Sequence, residues 1–371
     1  MILHQIAGVV LMLLFLTDIF LTVLYARAST GLLAPYWNRA IWALFRAVAT
    51  LFGRRRGLVL SFAGPAIVIL LIAFWALGLT VGAALVIQPE LGSAIRPSSG
   101  STPTDFITAT LVAGNSLSIV GSGEYAPHTT GTRLLFLLNS LIGASVLSLV
   151  LSYLVQVYSA LRERNALALT VDLMTDGTGD AAAMLARLMP NGDGSDATSE
   201  LGNLVRSLAA TKEAHHFYPL LFYFRFDDPR YAVSRFSLIL LDLTTLIGSA
   251  LDRQRHGTLI GSAPVAALRQ GSLLLLRTLD RNFPTDSKPQ RGAAEAWPER
   301  RSYAAATELL AEAGIAAQPG GVDLYVAARA DWEPLVHRVA AALDYTSVEI
   351  DRRGVSANPR YTGADSLRAT A

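Results

Sequence analysis

Cysteine is absent from the 371 residues, and lysine occurs only as Lys212 and Lys288. The first absence excludes disulfides, cysteine-ligated zinc and thiol chemistry. Charge is scarce as well: 16% of residues are Asp, Glu, Lys or Arg, against roughly a quarter in ordinary soluble chains. The shortage is uneven. Residues 1–160 hold 8 Arg and 4 acids, whereas residues 161–371 hold 23 basic and 25 acidic residues. With 52% apolar residues and a mean hydropathy of +0.39, this excludes a single water-soluble domain and a disordered or collagen-like chain. It implies an apolar, membrane-embedded front half and a water-soluble back half. The net charge is +2, too weak in either half to point to nucleic acid as a partner.

Three apolar windows are long enough to cross a bilayer, which takes about 20 helical residues. They are residues 6–26, Gly57 to Pro89, and Leu134 to Leu161. The second exceeds one span, and Pro65 suits a helical first turn, so the helix is expected to begin near it. The first has a rival reading as a signal peptide, because Ala26-Arg27-Ala28 is an A-x-A pattern. Against cleavage stand the missing basic n-region, the length of the run and the interruption at Asp18. A carboxylate inside a span turns towards protein or water. A helix-packing contact is favoured for Asp18 over a proton-sensitive site.

Residues 27–56 carry Arg27, Arg39, Arg46, Arg54, Arg55 and Arg56 and no acid. The positive-inside rule places this loop in the cytoplasm. Within it Trp37, Ile41, Leu44, Phe45, Val48 and Phe52 recur at helical spacing opposite Arg39 and Arg46. That pattern suits an interfacial helix with arginines near anionic headgroups, or an ordinary amphipathic connector. Arg162 and Arg164 follow the third window, so both basic clusters lie on one side only if Phe106–Gly123 enters and leaves the same face. Irregular backbone at that depth requires surrounding protein or a water-filled cavity.

Thr102-Pro103-Thr104-Asp105 reads as a helix start, and the helix is expected to end near Gly114 or Ser116. Ser116-Leu117-Ser118-Ile119-Val120-Gly121-Ser122-Gly123-Glu124-Tyr125-Ala126-Pro127 follows. This string resembles the selectivity filter of potassium channels, T-L-T-T-V-G-Y-G-D-x-x-P. Leu117, Val120, Gly121, Gly123 and Pro127 match it, with Ser116, Ser118 and Glu124 as close substitutes. The resemblance covers Gly57 to Leu161. It implies an ion pathway through Ser118, Ile119, Val120, Gly121, Ser122, Gly123 and Glu124, and a gating hinge at Gly143, 20 residues after Gly123. Stacked carbonyls would replace the water shell of the ion. Two positions depart from the family: Ile119 replaces a threonine of the innermost ion site, and Ser122 replaces a bracing aromatic. One pore loop per chain demands a closed ring, most simply a homotetramer.

The back half is expected to be all-α. Helical periodicity runs through Leu201–Ala214, Arg230–Arg255, Pro264–Arg281, Glu299–Ala313 and Val326–Leu343. Residues 175–199 and Phe283–Pro298 read as loops, and Thr175–Asp180 reads as a surface turn. Phe236–Ala250 is apolar but short and carries Asp242; it is expected to be a buried helix and not a fourth span. His215-His216 reads as a turn, Asn191–Asp196 lacks a calcium-loop pattern, and no G-x-G-x-x-G nucleotide fingerprint occurs.

The expected fold is an all-α membrane protein: three transmembrane helices with a re-entrant pore helix and filter loop, followed by a helical cytoplasmic domain. Its expected parts are a first span (1–26), an arginine-rich loop with an interfacial helix (27–56), a pore module (57–161), the cytoplasmic domain (162–355) and a tail (356–371). The resemblance implies a homotetrameric cation channel of relaxed selectivity, with K+ as the permeant ion and neither catalytic nor metal-binding residues nor a cofactor. Its partners would be further copies of itself, the bilayer, and a ligand or protein on the helical tail. The expected location is the cell membrane (inner or plasma membrane), N-terminus outside and C-terminal domain in the cytoplasm. The alternative is a non-conducting anchor and oligomerisation scaffold whose tail binds a partner.

Overall fold

A computed structural model describes residues 2–25, 31–118, 123–283 and 297–353. The A-x-A pattern at 26–28, the linker at 284–296 and the tail at 356–371 lie outside the described residues. The chain divides into two compact units, residues 1–51 with 63–159, and residues 52–62 with 160–371.

The first unit is built on long apolar helices. Helix α1 (Ile2–Ile19) continues as a π-helical turn, Phe20–Leu24. Helix α2 (Ala34–Ala49) has Pro35 in its first turn, and α4 (Ala63–Ile87) starts just before Pro65. Helices α1 and α4 approach closely because both carry glycine at the contact. A β-carbon at Gly78 would fall inside the Phe15 ring, and one at Gly82 would meet Met12. Gly78 and Gly82 are four apart on one face, the small-residue spacing that brings membrane helices together. Trp37 of α2 stacks on Phe74 of α4 with ring centroids 4.3 Å apart.

Asp18 is fully buried where these three helices meet. Its Oδ1 accepts the backbone N–H of Leu33 at 2.7 Å and of Ala34 at 3.3 Å, and its Oδ2 accepts the Trp75 indole N–H at 2.8 Å. A carboxylate at a helix N-terminus satisfies amides that have no partner within the helix. The packing role expected for Asp18 is thus met by an α2 cap and an α4 indole. On α2, Trp37, Ile41 and Phe45 are half-buried, whereas Leu44 and Val48 are exposed. Spacing had grouped these five on one face.

After α4, strand β1 (Ile95–Pro97) pairs antiparallel with β2 (Tyr125–Pro127), Ile95 opposite Pro127. Between them stands α5 (Phe106–Leu117). Helix α6 (Thr130–Met174) is 45 residues long. Its Leu134, Leu137, Leu138, Leu141, Leu147, Leu151 and Val155 are exposed, as lipid-facing or subunit-facing residues of a span are.

The second unit is helical: α3 (Arg56–Ser61), α7 (Ala181–Leu188), α8 (Ala197–Phe217), α9 (Val233–Ala250), α10 (Arg253–Ile260), α11 (Ala263–Asn282), α12 (Trp297–Glu312), α13 (Val322–Ala342) and α14 (Ser347–Ile350). Helix α9 is central. Every residue of it except Gly248 is buried, packed by α7, α10, α11, α13 and α14. Its composition would suit a short span, yet its apolar surface is consumed by neighbouring helices, as expected. Asp242 interrupts it and is paired: Tyr325 donates to it at 2.7 Å, Arg329 lies at 3.4 Å, and Arg353 binds its other oxygen. Burial and the Asp242 carboxylate push the Tyr325 hydroxyl up to about 12.

Three sequence readings are corrected here. The stretch 175–199 contains α7, capped by Asp180, whose carboxylate accepts the Ala182 N–H at 2.7 Å. Its alanines and leucines find a buried face that the surrounding Gly and Asp residues concealed. His215 and His216 lie in the last turn of α8 and not in a turn beyond it. The expected helix Arg230–Arg255 is three pieces, a 3-10 turn at Pro229–Tyr231, α9 and α10, because Asp228 and Asp252 each cap a new start. Thr175–Asp180 is a turn, with positive φ at Asp176, Gly177 and Gly179.

Residues 52–62 are held as part of this unit. The buried Arg225 donates to the carbonyls of Gly57 at 3.0 Å and Leu343 at 3.1 Å, and lies 4.4 Å from the Tyr345 ring centroid. Arg56 pairs with Asp344 at 2.5 Å.

Candidate ion pathway

The pore module is assembled around α5. Asp105 caps it: one carboxylate oxygen accepts the Thr108 N–H at 3.0 Å, the other its hydroxyl at 2.8 Å. These bonds hold the Asp105 carboxyl below the usual carboxylate range. The expected start is therefore in place, and the helix runs to Leu117, one residue past the expected end. Ala109, Val112 and Ala113 are fully buried in the cluster that holds Leu79, Ala83 and Ile87 of α4, with Leu135, Ile142 and Val146 of α6 against it.

The far end of α5 closes on itself and on α6. The Ser118 N–H donates to the Gly114 carbonyl at 2.9 Å, and its hydroxyl to the Asn115 carbonyl at 3.0 Å. The Ser116 hydroxyl donates to the Ala113 carbonyl at 2.8 Å and accepts from Asn139 Nδ2 of α6 at 3.0 Å. The Leu117 carbonyl meets α6 at Gly143, where any β-carbon would overlap it. Helix α6 runs unbroken through Gly143 in this conformation. Sequence reasoning singled out Gly143 but passed over Asn139. An asparagine within a 28-residue uncharged window was the signal available.

Of the residues expected to line the pathway, Ser118, Gly123 and Glu124 are described. Ile119, Val120, Gly121 and Ser122 lie outside the described residues. Gly123 has φ +54, a left-handed backbone that glycine adopts without strain, and a β-carbon there would sit 3.7 Å from Asn115 Nδ2. Glu124 is exposed. Immediately beyond, Tyr125–Pro127 is tied to Ile95–Pro97, and the His128 N–H donates to the Ala94 carbonyl at 2.9 Å. Both flanks of the filter-like string are thus fixed, one by α6 and one by the β-pair. No cluster of three or more potential metal-ligating His, Asp or Glu residues occurs among the described residues.

An apolar helix, a short capped helix and a second apolar helix in this order define the class of a pore-loop membrane protein. A family model described as "Ion channel" matches residues 66–160, in agreement with a two-span, potassium-channel-like pore domain over that segment. The match takes in α4 from residue 66, α5, both strands and α6 as far as residue 160. It does not extend to α1 or α2, nor into the helical second unit beyond residue 160. No curated protein and no solved structure matches the chain.

Proposed function

We propose that the protein is a homotetrameric, cation-conducting channel with relaxed selectivity, its ion pathway running through residues 118–124. The observation that carries this reading is α5, a short helix capped by Asp105 and anchored to α6, delivering a T-L-T-T-V-G-Y-G-D-like string between two spans. A single copy cannot surround an ion, so the reading requires a closed ring. The exposed surface of α6 supports assembly. Ser145, Ser148, Ser152 and Gln156 form an exposed row on one side of this apolar helix. Such a row is out of place against lipid and suits a neighbouring copy or water. Gly143 is the proposed bending point of α6 during gating. The permeant ion is a monovalent cation, with K+ as first candidate, and no resident cofactor is invoked.

The proposed setting is a cell membrane, inner or plasma, with the N-terminus outside and the helical domain in the cytoplasm, where it is open to a ligand or protein partner. The arginines of residues 27–56 and Arg162 with Arg164 support this orientation. With no native cysteine, single cysteines report sidedness. One at Ser99 is expected to react with an impermeant thiol reagent in intact cells, and one at Ser195 to be protected. Labelling at Ser195 would mean that Phe106–Gly123 crosses the membrane fully and would overturn the re-entrant loop, and with it the filter reading.

Cation flux through liposomes holding the purified chain decides the function. Flux by the intact oligomer is the expected result. If neither the wild type nor the double revertant Ile119→Thr/Ser122→Tyr passes ions, while truncation of the helical tail removes a phenotype, the chain is a non-conducting anchor whose helical domain binds a partner. Sharper K+ over Na+ discrimination in the revertant is expected if the pore conducts.

A further inference from the structure

Asn139 is 1% exposed and Ser116 4% exposed, on two helices that otherwise meet through apolar side chains. A primary amide buried among such groups costs several kcal/mol unless it is hydrogen-bonded. Its bond is directional: Asn139 Nδ2 donates to the Ser116 hydroxyl, which donates to the Ala113 carbonyl. A relay of this kind in a low-dielectric interior polarises along its length. It reads position as well as distance, because sliding or rotating α5 on α6 breaks both links. One turn further along α6, Gly143 receives the Leu117 carbonyl. The last turn of α5 therefore rests on α6 at two points four residues apart, one a donor and one a gap.

We infer that Asn139 is a positioning residue for ion conduction: through Ser116 it fixes where α5 ends and the filter-like string begins. The inference rests on the channel reading. It assigns to α6 a role in setting the selectivity of a path whose residues lie on another segment. Asn139 itself does not contact the ion. Apolar packing holds α5 against α6, and the Asn139–Ser116 bond adds a directional link whose geometry specifies the register. One buried amide–hydroxyl pair supplies that specificity.

The test uses the full chain in liposomes and reads the K+/Na+ flux ratio. Asn139→Leu keeps the branched four-atom outline of the side chain and removes the donor. Ser116→Ala removes the acceptor. Each is expected to change the ratio about fivefold, the effect of one net buried hydrogen bond, and the double variant is expected to add nothing further. The exchanged pair Asn139→Ser/Ser116→Asn, which restores a donor and an acceptor across the same gap, is expected to recover the ratio to within about twofold. An unchanged ratio in a folded Asn139→Leu protein, or two effects that multiply, would overturn the inference. A second readout needs no conduction. A spin label on a single cysteine at Ser118 is expected to give a narrow distance distribution between copies, broadened by Asn139→Leu and narrowed again by the exchange. A wild type that passes no cation but shows this pattern overturns the channel reading while the positioning of α5 stands. A distribution indifferent to Asn139 overturns the positioning itself.

Discussion

Asp18 of α1 accepts the indole N–H of Trp75 of α4 at 2.8 Å, while its second oxygen caps α2. One carboxylate thus serves three donors from two segments. Asp18→Leu is expected to lower stability by about 2–4 kcal/mol, since three buried or half-buried donors lose their acceptor. Asp18→Asn retains one accepting oxygen and should lose less. Thermal melting in detergent separates the two, and a wild-type melting temperature for Asp18→Leu would remove the clamp from the account.

His215 is buried in α8, with Nδ1 at 3.0 Å from the Thr211 carbonyl and Nε2 without a partner. Burial, aided by the Arg164 charge, depresses its pKa to about 3. The folded state therefore refuses a proton that the unfolded chain accepts near 6.5. The sign follows: this contribution is complete above pH 6.5 and is lost as pH falls towards 3. Between pH 7 and pH 5 the loss is about 2 kcal/mol. His215→Leu is expected to flatten that limb in melts at the two pH values, whatever the carboxylates elsewhere contribute.

How much of this was legible in the sequence depends on the range of the interaction. The spans and the α5 cap are local signals, a charge-free window and an Asp three residues before Thr108, and both stand where the pattern placed them. Helix α7 was hidden because eight residues are too few for periodicity to outweigh flanking Gly and Asp. The partners of Asp18 and Asp242 were out of reach for another reason. Trp75 is 57 residues from Asp18, and Arg353 is 111 from Asp242. Sequence shows that a buried acid needs a partner but not which distant donor folding will supply. Asn139 illustrates the same limit, its acceptor lying 23 residues upstream on another helix.

Arg353 reaches Asp242, Asp180 and the Tyr325 hydroxyl from a point beyond α14. Burial opposes its charge, but Asp242 and Asp180 raise its pKa above that of free arginine. Arg353→Leu leaves Asp242 and Asp180 one cation short, and a loss of about 3 kcal/mol is expected. Denaturant unfolding of the full chain followed by circular dichroism measures it. A loss within about 0.5 kcal/mol, as at an ordinary surface site, would contradict the pairing.

Gly143→Ala adds one methyl where the Leu117 carbonyl sits. Backbone cannot yield as a flexible side chain does, so α5 and α6 must separate where α5 ends. Loss of oligomer on native gels or of cation flux is expected, whereas Gly131→Ala, which meets nothing within 4 Å, should behave as wild type.

The grip of Arg225 and Asp344 on residues 56–57 sets an order of events during synthesis. Arg56 and Asp344 are 288 residues apart, and the whole of α4, α5 and α6 is made between them. The helical domain cannot close around α3 until the pore hairpin has been translated and its own last helices have emerged. At ribosomal speeds of about 5–20 residues per second, Arg56 waits on the order of 15–60 s for its carboxylate. The apolar helices α4, α5 and α6 are therefore translated before the helical unit is complete, and a chain that stops short of Asp344 leaves Arg56 without this carboxylate.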